Sequence, residues 1–143
     1  MEIKIKNTKR KHIRNLYTHL SVQSLLDLKA MTGRIEKDDL ITMLLQSKYS
    51  YSFIVDDLTR AIIFIIPNEK KEYNVYMYST EFNLDVFEKD MKSIFDNMKD
   101  EKFSSIIYNG SKKNIKILKK SGFSENSVIK YGVEKKKFLL LRR

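Results

Sequence analysis

The segment NGSKK, residues 109–113, has the composition of an anion-binding turn. Asn109 and Gly110 can form a tight turn, and a helix can begin at Ser111. The first amides of a helix have no partner inside the helix, so NH groups and the ammonium groups of Lys112 and Lys113 would converge there on a negatively charged ligand. A capped surface helix with lysines on its outer face is the alternative interpretation, and the residues leave both open.

Several chemistries are excluded by residue type. The chain contains no cysteine, which excludes a disulfide scaffold, a thiolate metal site and a cysteine nucleophile. Its two histidines, His12 and His19, lie in one short basic segment, so we predict no metal site. No stretch is long and apolar enough to span a membrane, and the first residues alternate rather than forming an apolar signal core. We therefore expect a soluble, cytoplasmic protein without a membrane partner.

The charge of the chain is strongly positive. Its 143 residues include 28 Lys and Arg against 18 Asp and Glu, a formal net charge of +10. Such a charge attracts polyanions, so nucleic acid is one candidate partner, whereas simple solvation of the surface is the other interpretation. The oligomeric state stays open. The basic residues form three clusters: Lys9, Arg10, Lys11 and Arg14; Lys112, Lys113, Lys116, Lys119 and Lys120; Lys135, Lys136, Lys137, Arg142 and Arg143.

The first half of the chain begins with an alternating strand over residues 2–6 and continues into helices. Thr8 is the predicted cap of the first helix, and Ser21 and Gly33 are the predicted start and end of the second. A short third helix should end near Ser47. The apolar positions at helical spacing are Ile13, Leu16, Tyr17 and Leu20, then Leu25, Leu28 and Met31, then Leu40, Ile41, Leu44 and Leu45.

The second half alternates strands with two amphipathic helices. Asn83 is expected to cap one helix, and Ser111 a second helix that ends at Gly122. The resulting order, β-α-α-(short α)-β-β-β-α-β-α-β-β, predicts a single α+β domain over residues 1–143, with a mixed sheet and helices on both faces. The predicted strands cover residues 49–55, 61–66, 73–78, 103–108, 128–133 and 138–141.

This order of elements resembles the GCN5-related N-acetyltransferase (GNAT) fold, which has a mixed, mostly antiparallel central sheet. The motif LKKSGF at residues 118–123 is similar to the Gly-Phe ending of the helix before the last hairpin in that family. More narrowly, NIKILK at residues 114–119 resembles a motif of small acetyltransferase-like proteins of tailed bacteriophages, some of them internal virion proteins. Asp27, Gly33 and Ser47 stand in the arrangement found in the N-terminal half of those proteins.

The resemblance implies transfer of an acetyl group from acetyl-CoA to an amine. In the family, backbone NH groups of a splayed fourth strand stabilise the oxyanion, which points to Met77, Tyr78 and Ser79. Tyr78, Glu81 and Tyr108 are the candidate proton carriers, because each falls near a strand end that faces the cleft in this fold. The alternative for the tyrosines is a packed ring with a solvated hydroxyl, and for Glu81 a solvated loop residue.

The resemblance also implies a set of coenzyme contacts. Asp27 and His19 could line the acceptor side if the first two helices cover the cleft, although a surface position is the alternative for His19. The predicted contacts with acetyl-CoA are Met77, Ser79, Asn109, Gly110, Ser111, Lys112, Lys113 and Asn114.

One loop and two single positions depart from the family pattern. The family's pyrophosphate loop is rich in glycine, whereas residues 79–86 (STEFNLDV) contain none and carry two carboxylates. Leu118 stands where many active members have a proton-donating tyrosine, and Ser111 replaces an asparagine. The element order and the Gly122-Phe123 motif nevertheless favour an N-acetyltransferase of unknown acceptor as the expected function. The alternative is a catalytically degenerate protein of the same fold that acts as a virion component, an interaction module or a nucleic-acid contact.

Overall fold

A seven-stranded sheet forms the centre of this computed structural model, which describes residues 2–98 and 100–143. The strands lie in the order β1-β2-β3-β4-β5-β7-β6, and each neighbouring pair is antiparallel except the parallel pair β4 and β5. The elements are β1 (Ile3–Asn7), α1 (Arg10–Thr18), α2 (Val22–Thr32), α3 (Lys37–Gln46), β2 (Tyr49–Val55), β3 (Leu58–Pro67), β4 (Tyr73–Ser79), a 3-10 helix (Leu84–Phe87), α4 (Glu88–Asp96), β5 (Phe103–Tyr108), α5 (Lys112–Lys120), β6 (Ser124–Tyr131) and β7 (Lys136–Arg142).

The predicted fold class and element order are confirmed, including helices on both faces of the sheet. The continuous apolar run in β3 explains this layering, because successive residues of a strand point to opposite faces. Ile63 and Ile65 pack with Phe87 and Phe95 on the face covered by α4 and α5. Ile62 and its neighbours on the other face pack against the apolar side of α1 and α3.

Several local predictions were correct. Ser21 caps α2 by accepting a hydrogen bond from the Ser24 amide at 3.1 Å, and Gly33 ends that helix with a φ of 82°. Asn83 caps the 3-10 helix by accepting from the Asp85 amide. The long helix predicted after Asn83 is divided into this 3-10 turn and α4.

Other boundaries differ from the sequence-based expectation. Thr8 is not the cap of α1, because its hydroxyl bonds Ser52 and Ser50 on the neighbouring strand and Lys9 takes the cap position. The strand predicted at residues 128–133 begins earlier, at Ser124, and ends at Tyr131. β6 lies at the edge of the sheet, so polar residues suit its first half and the apolar pattern misses it.

Candidate functional site between β4 and β5

The two parallel strands of the sheet pair through their backbones only where they begin, and just beyond that point the Ser105 hydroxyl donates to the Val75 carbonyl at 2.7 Å. β4 and β5 pair at Tyr73 with Phe103 and at Asn74 with Ser104, and they diverge from there to their carboxyl ends at Ser79 and Tyr108. We call the space between residues 75–79 and 105–108 the strand gap. The cleft that the resemblance implies beside a splayed fourth strand is therefore present, as a separation of the β4 and β5 backbones.

Side chains of this chain occupy the β4 side of the strand gap. The Ser79 amide donates to Ser24 Oγ of α2 at 2.9 Å, and the Met77 carbonyl accepts from Asn114 Nδ2 of α5 at 3.2 Å. The Ser79 hydroxyl also donates to Asn114 Oδ1 at 2.7 Å. Ser24, Ser79 and Asn114 are all buried. Peptide groups that would bond β5 in a closed sheet are thus bonded to α2 and α5 instead.

A buried carboxylate occupies the β5 side of the strand gap. Asp27 Oδ2 of α2 accepts from the Tyr108 amide at 2.9 Å and lies 3.5 Å from the Ser111 hydroxyl. Asp27 is only 3% exposed, and this burial raises its pKa to about 7, although both hydrogen bonds act in the opposite direction. The strand gap therefore contains a group that titrates near neutral pH.

The N-terminal end of α2 is attached to both sides of the strand gap. The Ser21 amide donates to the Ser79 carbonyl at 2.9 Å. Gln23 accepts at its side-chain Oε1 from the Lys113 amide at 3.2 Å, and its carbonyl accepts from the Ser111 hydroxyl at 3.2 Å. These contacts connect α2 to the end of β4 and to the start of α5.

The C-terminal end of α2 is attached to the β6–β7 hairpin. The Val133 amide donates to the Met31 carbonyl at 3.0 Å, and the Glu134 amide donates to the Ala30 carbonyl at 3.2 Å. Gly132 makes this approach possible, because a Cβ there would collide with the backbone of Ala30 and Met31. Both ends of α2 are therefore bonded to the rest of the domain, and its side chains lie in the strand gap.

The loop after β4 lies where the resemblance places the coenzyme pyrophosphate. Its own side chains already bond its amides, since Phe82 N donates to Thr80 Oγ1 at 3.2 Å and Asp85 N donates to Asn83 Oδ1 at 3.1 Å. A cavity of about 300 Å³ lies between this loop and α5, and Glu81 is on its lining.

The carboxylates of this cavity are paired with lysines of α5. Asp85 contacts Lys120 at 3.1 Å and Lys116 at 3.8 Å, and the hydrogen bond from Lys120 is the main cause that lowers the pKa of Asp85. Glu81 contacts Lys113 at 3.2 Å. The lysines that could attract a pyrophosphate thus already face anions of the chain.

The three candidate proton carriers lie in different surroundings. Tyr78 is buried, its hydroxyl lies 3.9 Å from Met31 Sδ, and burial raises its pKa well above the usual range. Glu81 is exposed in the loop after β4 and accepts from the Val22 amide as well as from Lys113. The Tyr108 ring packs edge-on against Phe138, with 5.7 Å between ring centroids. Their catalytic roles stay a prediction.

The predicted anion-binding segment is in contact with α2. The Ser111 hydroxyl does not cap α5, because it donates to α2 instead. Lys112 Nζ lies 3.4 Å from Asn109 Oδ1. Gly110 leaves room for the ring of Tyr108, which a Cβ would strike. Coenzyme binding by this segment, together with Met77, Ser79 and Asn114, likewise stays a prediction.

The sequence analysis did not predict that polar residues of α2 bond the peptide groups of β4 and β5. Ser21, Ser24 and Asp27 recur at intervals of three residues, so they share one face of the helix, and that face is buried. Polar residues that repeat on one face of a helix indicate bonding to peptide groups that lack a strand partner, and this repeat could have identified the role of α2. His19, suggested for the acceptor side, lies exposed at the end of α1.

The architecture is similar to that of solved acetyltransferases. The aminoglycoside acetyltransferase AAC(6')-Ib, in complex with ribostamycin and coenzyme A, has a TM-score of 0.70 at 8% identity, covering 100% of this chain and 93% of that one. Ard1 from Thermoplasma volcanium has a TM-score of 0.74 at 11% identity, covering 100% and 97%. A GNAT-family acetyltransferase from Bacillus anthracis has a TM-score of 0.68 at 11% identity, covering 99% and 93%.

At these identities the similarity establishes the fold alone, and the predicted GNAT fold is confirmed. No protein-family model and no curated protein matches the sequence. The resemblance to bacteriophage proteins stays a prediction. Within residues 2–98 and 100–143, no group of three or more His, Asp or Glu side chains could hold a metal ion. None of the helices described has the length and apolar character needed to cross a bilayer.

Proposed function

We propose that this chain is a non-catalytic GNAT-fold protein that acts as a binding module, in the cytoplasm or within a virion. The observation that carries the proposal is the occupation of the strand gap by Ser24 and Asn114. An acyl-CoA arm would have to displace their buried hydrogen bonds to Ser79 and Met77. Leaving a buried polar group without its partner costs about 1–3 kcal/mol, which opposes entry of the arm.

The loop after β4 supports the same proposal. A bound pyrophosphate would face Glu81 and Asp85 across a cavity of about 300 Å³. It would also compete with those two carboxylates for Lys113, Lys116 and Lys120. Since like charges at close range repel, this end of the site disfavours the coenzyme as well.

Calorimetry with acetyl-CoA tests the proposal directly. We expect no saturable binding tighter than roughly 1 mM, and no release of thiol when a panel of amines is added. Micromolar binding with turnover would contradict the proposal.

A variant that lacks the two carboxylates of the loop separates the effect of the loop charge from the effect of the filled strand gap. Glu81→Gln with Asp85→Asn removes the two carboxylates but leaves Ser24 and Asn114 in place. If the strand gap is the barrier, this variant binds acetyl-CoA no better than the natural chain. A large gain in affinity would show that only the loop charge excludes the coenzyme.

A second candidate function is acetyl-CoA-dependent transfer of an acetyl group to an amine of unknown identity. Asp27 is the specific observation that favours it, because a carboxylate with a pKa of about 7 can accept a proton from an ammonium group near neutral pH. This function requires α2 to withdraw from the strand gap. It predicts turnover in the thiol-release assay and loss of most of that turnover in Asp27→Asn.

A further inference from the structure

A small basic pocket lies between β1, the start of α1 and the β2–β3 turn. Its volume is about 260 Å³, and three lysines and a histidine line it: Lys4, Lys6, Lys11 and His12. Asp57 is the carboxylate on its lining. We call this cavity the α1 pocket.

The His12 side chain presents a donor to the α1 pocket. His12 as a whole residue is only 5% exposed, and its Nδ1 accepts a hydrogen bond from the Lys9 amide at 3.0 Å. In the neutral ring one nitrogen accepts and the other carries the proton, so Nε2 is the donor. Nδ1 is committed to the backbone, and Nε2 is the atom that remains for a ligand.

Asn15 adds a second neutral donor. Its Oδ1 accepts from the Thr59 amide at 2.7 Å, which fixes the orientation of the carboxamide and leaves the NH₂ group to donate. Asn15 and Thr59 both line the α1 pocket. The first turn of α1 contains no acidic residue, so the positive end of that helix is not neutralised by its own side chains.

The charges around the α1 pocket differ from those on α5. Lysines of α5 are paired with Glu81, Asp85 and Glu125 at 3.1–3.8 Å. Near the pocket, Lys4 reaches Glu2 only at 4.0 Å. Among the residues that the structure describes, no ion pair within 4.0 Å is formed by Lys6, Lys9, Arg10, Lys11 or Arg14.

The surroundings of His12 are positively charged and favour an anion. Burial, followed by the charges of Lys11, Lys6 and Lys9, lowers the pKa of His12. The ring is therefore neutral at pH 7 within a positive environment. A negatively charged ligand would offset the lysine charges and raise the pKa of His12. Protonation would then place a hydrogen on Nδ1 and break its bond with the Lys9 amide, while Nε2 would still donate to the ligand. Asp57 is the carboxylate of the lining that would repel such a ligand.

We propose that the α1 pocket binds a phosphoryl group through His12 Nε2, the Asn15 amide and the ammonium groups of Lys6 and Lys11. The phosphoryl group can belong to a small phosphorylated molecule or to a nucleic-acid backbone. This site is separate from the strand gap and does not depend on whether the chain transfers acetyl groups.

NMR titration of the two histidine rings tests this site, because His12 and His19 are the only histidines in the chain. Inorganic phosphate is added at constant ionic strength, and the pKa of each ring is measured. We expect the pKa of His12 to rise by about one unit at saturation, since a nearby anion favours the imidazolium. The exposed His19 ring is the internal reference and should move much less.

A parallel titration with a short single-stranded DNA oligonucleotide identifies the source of the phosphoryl group. A His12 shift with phosphate alone assigns a small ligand, and a shift with the oligonucleotide assigns a nucleic-acid backbone. If neither moves His12 more than His19, the proposal is overturned.

Two charge-matched variants separate a defined site from general attraction. Lys6→Gln with Lys11→Gln should abolish the selective His12 shift. Lys116→Gln with Lys119→Gln removes the same charge from α5 and should retain it. An equal loss in both variants would mean that net charge alone produces the response, which also overturns the proposal.

Discussion

Asp27→Asn should change the pH dependence of stability by roughly 4 kcal/mol between about pH 4 and pH 7. The pKa of Asp27 is about 7 in the folded chain, against 3.8 for an unperturbed aspartate. The folded state therefore keeps this proton over a range in which the unfolded state has released it. The natural chain loses that stability as pH rises from about 4 to 7, and the loss is complete above 7. Asparagine does not titrate, so the free energy of unfolding of the variant lacks this contribution to its pH dependence.

Urea unfolding of both proteins across this pH range measures the effect. The difference in free energy of unfolding should move steadily in favour of Asp27→Asn as pH rises. Asp56→Asn is the matched control, because Asp56 is exposed and asparagine tolerates its φ of 54°. A difference that stays constant with pH would mean that the Tyr108 amide and the Ser111 hydroxyl keep Asp27 ionised.

Asn114→Leu should lower the free energy of unfolding by about 2–4 kcal/mol. Leucine is close to asparagine in size but cannot donate to the Met77 carbonyl or accept from the Ser79 hydroxyl. Both groups would stay buried between the diverging strands without these partners. The midpoint of urea unfolding, with the slope checked for constancy, gives the change.

Asn109→Leu is the comparison for that result. Asn109 is only half-buried, and its side chain meets the exposed Lys112 ammonium at 3.4 Å. Its replacement should cost no more than about 0.5 kcal/mol. Equal effects at the two positions would show that the buried hydrogen bonds of Asn114 in the strand gap contribute no more to stability than a partly exposed side chain does.

The element order of this chain could be predicted because its patterns are local. The alternation in the first half of β4 and the apolar stripe on α4 each reflect one more deeply buried face. β2 was predicted from a similar alternation, but there the serines Ser50 and Ser52 are buried and Tyr49 is exposed. The start and end of α2 at Ser21 and Gly33 were predictable for the same reason, since a cap and a left-handed end involve only neighbouring residues. The fold class follows from these elements in sequence.

The interior of the strand gap could not be predicted in this way. An apolar stripe of Leu25, Leu28 and Met31 was expected to define the inner face of α2, but only Leu28 of the three is fully buried. Ser24 and Asp27 face inward because the helix packs on unpaired peptide groups, which require polar partners. These bonds join α2 to strands far away in the sequence, so a local pattern cannot predict them.

The brief contact between β4 and β5 has a consequence for cooperativity. It divides the sheet into two antiparallel units, β1–β4 and β5–β7–β6, whose backbones pair at only two positions. The Ser105 hydroxyl adds a bond to the Val75 carbonyl, and α2 connects the two units further along, at the amides of Ser79 and Tyr108. Hydrogen exchange at these two amides should therefore report separation of the two units, and it should be faster than exchange at the centre of β3.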